Sequence, residues 1–184
     1  MSSPLVGLVN PVLCIHVDAD GTNPASLRKL LSKWTPEDAK NPESDIPRVM
    51  VLNPTCNNPA GVTTVTERRK EIYAIAQEYD LLIVEDEPYY YLQEQKPRVP
   101  SYLSLDVDGR VVRIDSFSKI VAPGFRCAFV TGPAALVNKL EYVYMQTCQH
   151  AACISQVVLH RLLTLWGPEG FEAQIQGIVK FNRV

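Results

Sequence analysis

Leu81-Leu82-Ile83-Val84-Glu85-Asp86-Glu87-Pro88-Tyr89 is the stretch that decides the fold class. An unbroken apolar run meets an acidic step and then a proline. A run of this length reads as a strand buried on both faces, the pattern of a parallel sheet covered by helices. Upstream, residues 66–79 have helical spacing: Ile72, Ile75, Ala76 and Tyr79 form one apolar stripe, with Glu67, Arg68, Lys70 and Glu71 mostly off it. Thr66, or Thr64 just before it, is placed to cap the first free amides. Val49-Met50-Val51-Leu52 precedes them as another strand. Strand, helix and strand in this order make a βαβ unit.

The pattern continues outward in both directions. Residues 13–17 read as a short buried strand, and Leu27, Leu30, Leu31 and Trp34 mark a helix over residues 25–34. Residues 35–47 are rich in Pro, Asn, Asp and Lys and read as a surface loop. Residues 111–114 and 127–131 give two further strands. A helix opens at Pro133 and runs to about residue 149, with Leu136, Leu140, Val143 and Tyr144 on one side. A second covers residues 154–165 and stops at Gly167-Pro168. The expected fold is α/β, a mainly parallel sheet flanked by helices, with no internal repeat.

Composition narrows the function classes. In 184 residues, 46% are hydrophobic and 21% charged, enough to bury a core and too apolar for a disordered chain. A net charge of −2 gives no general attraction to nucleic acid, and none is expected as a partner. No apolar run reaches the ~18 residues of a membrane span. Met-Ser-Ser-Pro does not open a signal peptide. Cys14, Cys56, Cys127, Cys148 and Cys153 are scattered without a CxxC pair, and His16, His150 and His160 form no ligand cluster. Reduced thiols in a cytoplasmic compartment and no metal site are expected.

Ligands of such sheets bind outside the carboxyl ends of the strands. Three loops follow strands there: Asn53-Pro54-Thr55-Cys56-Asn57-Asn58-Pro59-Ala60-Gly61, Glu85-Asp86-Glu87-Pro88-Tyr89-Tyr90-Tyr91, and Asp115-Ser116-Phe117-Ser118-Lys119 with Pro123-Gly124-Phe125-Arg126. They bring an amide, a carboxylate, a phenol, an amine, hydroxyls and a guanidinium to one edge. GxGxxG, GxxxxGK[ST] and GxSxG are absent. A cofactor with a carbonyl, a pyridine ring and a phosphate would use all of these groups.

Through these loops, in this order and spacing, the chain resembles the fold type I pyridoxal-phosphate-dependent aminotransferases. The likeness is to the aromatic, kynurenine and 2-aminoadipate subgroup, over roughly residues 13–165. It implies that the chain is part of the large domain of such a transferase, with pyridoxal 5'-phosphate as cofactor. Lys119 resembles the Schiff-base lysine, whose amine must be neutral to form the bond and later to carry a proton. Asp86 resembles the carboxylate that pairs with the pyridinium nitrogen. Tyr89 resembles the phenol at the ring 3-oxygen, and Asn58 the amide that shares this oxygen and touches the substrate carboxylate. Ser116, Ser118 and Arg126 resemble phosphate ligands. Pro59 is a candidate for a cis peptide bond that would aim Asn58. Cys56, Tyr90 and Tyr91 read as packing residues, and His150 and His160 as structural ones in helices.

The chain departs from that family pattern in several places. Ala60 stands where a threonine is common. The family's upstream phosphate-binding helix start, its ring-stacking aromatic residue and its substrate-gripping arginine have no counterpart; Ala151-Cys153-Ser155-Gln156 and Arg183 do not supply them. The expected organisation is an N-terminal segment over residues 1–12, part of the cofactor-binding domain over residues 13–165, and the start of a connection to a small domain over residues 166–184. The implied substrates are an amino acid and a 2-oxo acid, and the implied intact form is a homodimer. This chain by itself is expected to have little activity. Two rival readings are an inactive chain that pairs with a full-length subunit, and an aminotransferase-like effector domain of a transcription regulator.

Overall fold

Three strands, β3 (Val49–Leu52), β4 (Leu82–Asp86) and β5 (Val111–Ser116), run parallel side by side, and β6 (Ala128–Thr131) closes the far edge antiparallel to β5. Their order is sequential, β3-β4-β5-β6. Leu52 stands opposite Glu85 and Asp86 opposite Ile114, so β3 and β4 end within a residue of one another and β5 runs two residues further, to Ser116. The computed structural model describes residues 12–182. The segment assigned to residues 1–12 lies almost entirely outside them, as does Arg183.

Helix α1 (Pro24–Leu31), helix α2 (Thr66–Glu78) and the short α3 (Tyr102–Leu105) cover one face of the sheet. Leu27, Leu31 and Trp34 meet Ile72, Ile75 and Ala76, and these close over Met50, Leu52, Ile83 and Val111. Fully burying one such side chain is worth about 1.5–3 kcal/mol, so this is the main source of apolar stabilisation. The other face departs from the expectation. Val49 and Val51 are exposed, while Leu82 and Val84 are half-buried. The apolar run marks a parallel strand, but among the described residues only one face of the sheet is fully covered. The same holds for α4 (Ala134–Thr147), whose expected core stripe includes Leu140, Val143 and Tyr144, all exposed.

Two further expectations are corrected. Residues 13–17 do not form a strand; instead β1 (Val17–Asp18) and β2 (Gly21–Thr22) make a small antiparallel hairpin. Gly21 has φ +94°, and a Cβ there would lie 2.3 Å from Thr64 Cα, so only glycine fits. Neither Thr64 nor Thr66 caps α2. The N-cap is Val65, and Thr64 Oγ1 is engaged in accepting from the Thr22 amide at 3.1 Å. Gly167-Pro168 ends the helix begun at Cys153, as expected: Gly167 takes the non-helical φ 57°, ψ −173°, and Pro168 opens a further helix that runs to Phe181, the two together being α5 (Cys153–Phe181). The boundary placed at 165/166 falls close to the break between them. His150 lies between α4 and α5, His160 on α5, and both are exposed.

Beneath the strand ends sits a buried charge network that fixes the loops. Arg69 on α2 is fully buried. Its Nε donates to Thr64 O (2.9 Å), Nη2 to Pro54 O and Thr55 Oγ1 (3.1 Å each), and Nη1 to Pro100 O (3.1 Å) and Glu87 Oε1 (3.3 Å). Glu85, also fully buried, accepts from the Tyr102 and Leu103 amides at 2.7 and 3.1 Å and so seats α3. Arg113 grips Asp115 with two bonds of 2.8 and 2.7 Å, and Tyr90 lies over its guanidinium at 4.2 Å. Two cations thus face three carboxyls, Glu85, Glu87 and Asp115. Glu87 Oε2 is buried without a partner. Burial, with the Glu85 carboxylate adding to it, pushes the Glu87 carboxyl up to about 7.

Two outcomes follow from the network. Arg69→Leu leaves buried carboxyls without their cation and three carbonyls without donors; it should lower the unfolding free energy by about 3–5 kcal/mol in urea titrations. For Glu87 the folded-state value lies above the ordinary 4.5. Its contribution is fully present below pH 4.5 and lost as pH rises through about 7. Stability of the native chain should therefore fall between pH 5 and pH 8, by this component, and Glu87→Gln should flatten that slope. An unchanged slope in the variant would show that Glu87 does not carry the proton.

Candidate functional site

The three loops expected to carry chemistry leave the sheet together at the ends of β3, β4 and β5. The first begins with Asn53, directly after Leu52, level with Asp86 at the end of β4. The Asn53 side chain spans the two loops. Its Nδ2 donates to Asp86 O at 2.8 Å, and its Oδ1 accepts from the Asn58 amide at 3.0 Å. Asn57 Nδ2 donates back to Asn53 O at 3.0 Å, closing the turn. The Asn58-Pro59 peptide bond is cis, as anticipated, and the Asn58 side chain is exposed.

Asp86 is half-buried. Burial pushes its carboxyl above the ordinary aspartate range, and the Asn53 amide pulls against that rise. A carboxylate in this state gains from a cationic partner. Tyr89 follows three residues later and faces the third loop: Lys119 Nζ lies 5.6 Å from the centre of its ring. Both residues line a cavity of about 440 Å³, together with Cys56, Thr63, Leu92, Gln93 and Val99. That volume lies within the range of small-molecule sites. Cys56, read from sequence as a packing residue, lines this cavity in a left-handed conformation, φ 48°. Tyr90 and Tyr91 pack as expected, Tyr90 on Arg113 and Tyr91 edge-on to Phe171 at 5.4 Å.

The third loop gathers its own polar groups. Ser116 Oγ donates to Ser118 Oγ at 3.0 Å and accepts from the Ser118 amide at 3.2 Å. Arg126, in the left-handed conformation at φ 50°, turns back and donates through Nη1 to Ser118 Oγ at 3.2 Å and to Pro123 O at 3.2 Å. Two rotatable hydroxyls, one amide and one guanidinium converge, and this donor set suits a phosphate. Helix α4, which follows β6, takes no part in it.

Every site residue expected from sequence thus lies at the strand-end edge, but in three groupings. Asn58 and Asp86 are joined through Asn53, Tyr89 and Lys119 face the cavity, and Ser116, Ser118 and Arg126 form the anion cluster. Lys119 and Arg126 are exposed, so the described residues do not desolvate the lysine amine. Sequence reasoning missed Asn53, whose signal was its position as the first residue after a strand. It also missed Arg69 and gave Glu87 no role. Arg69 gave no signal, because an arginine among helix charges looks like a solvated one. Among the described residues no group of three or more His, Cys, Asp or Glu is placed to hold a metal, and no helix is long and apolar enough to cross a membrane.

Comparison with known proteins agrees with this geometry. Residues 28–163 match the family described as aminotransferase class I and II. A mitochondrial kynurenine/alpha-aminoadipate aminotransferase of Bos taurus is 42% identical over 185 residues, covering 98% of this chain and 44% of that protein. An aromatic amino acid aminotransferase of Schizosaccharomyces pombe is 40% identical, covering 86% and 37%. Among solved structures, the aminotransferase Aro8 of Candida albicans superposes with a TM-score of 0.79 at 34% identity, covering 90% of this chain and 37% of that one. A kynurenine aminotransferase of Pyrococcus horikoshii, solved in complex with PMP, gives 0.79 at 32% identity, covering 92% and 40%. The chain spans less than half the length of each of these relatives.

Proposed function

Given that the chain belongs to the aminotransferase class I and II family, we propose that its protein carries out pyridoxal-phosphate-dependent transamination between an aromatic or 2-aminoadipate-type amino acid and a 2-oxo acid. The substrate class is taken from the names of the relatives. Residues 13–165 supply part of the cofactor-binding domain; residues 166–184 belong to the start of a connection to a small domain, and Phe171, Ile175 and Val179 within it pack back on Tyr91 and Ile120. When bound, pyridoxal phosphate supplies an electron sink that stabilises negative charge on the substrate carbon.

The chain's own residues divide the remaining work. Ser116, Ser118 and Arg126 would hold the phosphate and so anchor one end. Asp86 would pair with the pyridine nitrogen and favour its protonated form, and its half-burial would make that pairing stronger than in water. Tyr89 and Asn58 would hold the ring 3-oxygen. Lys119 Nζ would hold the cofactor as the Schiff-base lysine and, as a free amine, would hold and move the proton at the substrate carbon. For this it must be shielded from water, and the exposure of Lys119 in this chain means that the bound ligands and the rest of the protein provide that shielding.

One observation carries the reading. A donor cluster fit for a phosphate is built around Ser118, next in sequence to a lysine that faces a tyrosine across a ligand-sized cavity. The test is to mix the protein with pyridoxal phosphate, reduce with borohydride and map the adduct by peptide mass spectrometry. Label concentrated on Lys119 is expected, and Arg126→Ala should weaken cofactor binding about tenfold by loss of a charged hydrogen bond. Label spread over surface lysines in proportion to their exposure would overturn the reading.

A further inference from the structure

Tyr89 and Lys119 face one another from two loops that the sheet itself does not tie together. Backbone pairing between β4 and β5 reaches Asp86 opposite Ile114, and one further bond runs from the Glu87 amide to Ile114 O at 2.9 Å. Among the described residues no backbone hydrogen bond joins residues 88–92 to residues 116–121. Side chains span the gap instead. Arg113, buried on β5, is fixed by its two bonds to Asp115, which directly precedes Ser116. The guanidinium carbon lies 4.2 Å from the centre of the Tyr90 ring, and Tyr90 is next in sequence to Tyr89. Gln93 Nε2 donates to Tyr90 O at 3.0 Å, which steadies the backbone at this point. Tyr91 and Leu92 also pack near Ile120 in the smaller apolar cluster. That contact brings the loops close but is non-directional. A guanidinium held by two parallel bonds has a set plane, and a ring stacked on it takes its place from that plane.

We propose that Arg113 and Tyr90 are positioning residues that set the separation of Tyr89 and Lys119, through a side-chain bridge Tyr90, Arg113, Asp115 between the two loops. Both act through their neighbours: Tyr90 through Tyr89, and Arg113 through Asp115 and the loop that follows it. The use made of that separation, to seat a ring beside a phenol and an amine, rests on the cofactor reading above. The bridge does not, since all of its contacts lie within the chain. A difference between ligands follows. Ser116, Ser118 and Arg126 all belong to the third loop and bond to one another there. An anion that meets only this cluster has no need of the second loop. Pyridoxal phosphate, with its ring reaching Tyr89, needs both loops at the right distance.

Three substitutions take the bridge apart. Tyr90→Leu removes the ring from the guanidinium, Tyr90→Phe keeps it, and Arg113→Lys keeps the charge but gives up the planar fork. The first readout is made on the protein without cofactor: the nuclear Overhauser contact between the Tyr89 ring and the Lys119 side chain. It should persist in Tyr90→Phe and be lost in Tyr90→Leu and Arg113→Lys. If the buried Arg113→Lys fails to fold, the half-buried Tyr90 pair still decides the matter. The second readout compares two ligands. Tyr90→Leu should bind pyridoxal phosphate about tenfold more weakly than the native chain, with Tyr90→Phe near native. Inorganic phosphate should bind Tyr90→Leu and the native chain alike. A purely structural role would lower the melting temperature and leave the Tyr89 to Lys119 contact in place, or weaken both ligands equally, and either result overturns the proposal. Failure of the native chain to take up pyridoxal phosphate would overturn the cofactor reading alone, because the Overhauser contact is measured without it.

Discussion

The fully buried guanidinium of Arg69 is the constraint from which the rest of the site follows. An arginine taken out of water must have its donors satisfied, and here they go to the backbone of two separate loops and to a carboxyl on a third segment. The helix that carries Arg69 is thereby bound to the loop leaving β3, to the end of β4 and to the approach to α3. Apolar packing alone would hold α2 against the sheet without fixing where the loops turn. The guanidinium fork specifies angles as well as contact, and so converts a generic helix-on-sheet layer into a defined rim.

That rim distributes its polar groups by depth. The charges that only organise the fold lie deepest, Arg69, Glu85, Glu87, Arg113 and Asp115, and they pair with one another, although Glu87 Oε2 is left without a hydrogen bond. Asp86 occupies an intermediate level, buried enough for its charge to be costly and open enough to meet a ligand. Lys119, Arg126 and Asn58 lie outermost. The alternation along β4 produces this ordering directly: Glu85 and Glu87 point into the protein, and Asp86 between them points the other way.

Much of this was legible in the chain itself. The apolar run 81–84 and the stripe on residues 66–79 located β4 and α2 because periodicity reports burial directly. The loop chemistry was legible because amide, carboxylate, phenol and amine each followed a strand. What escaped were features that depend on three-dimensional partners. Thr64 looks like a helix cap in sequence but bonds to Thr22, 42 residues away. The stripe Leu140, Val143, Tyr144 has the spacing of a core face, yet periodicity cannot say what would cover it. Glu87 carried no sign of its burial, because nothing local announces Thr55 and Arg69 as its neighbours.

The break at Gly167 divides the protein's apolar cohesion in two. Before it, α5 leans on little that is buried; after it, Ile175 and Val179 join Ile120, with Phe171, Tyr91 and Leu92 around them, in a cluster separate from the main core. Glu172 adds ion pairs to Lys96 and Arg98 from the same helical turn. The segment immediately after Lys119 is therefore anchored by a satellite core of three buried residues, while the Asp86 end of the site belongs to the principal one. The lysine side of the rim thus has fewer buried apolar side chains behind it than the carboxylate side, the kind of difference that sets local opening energies apart.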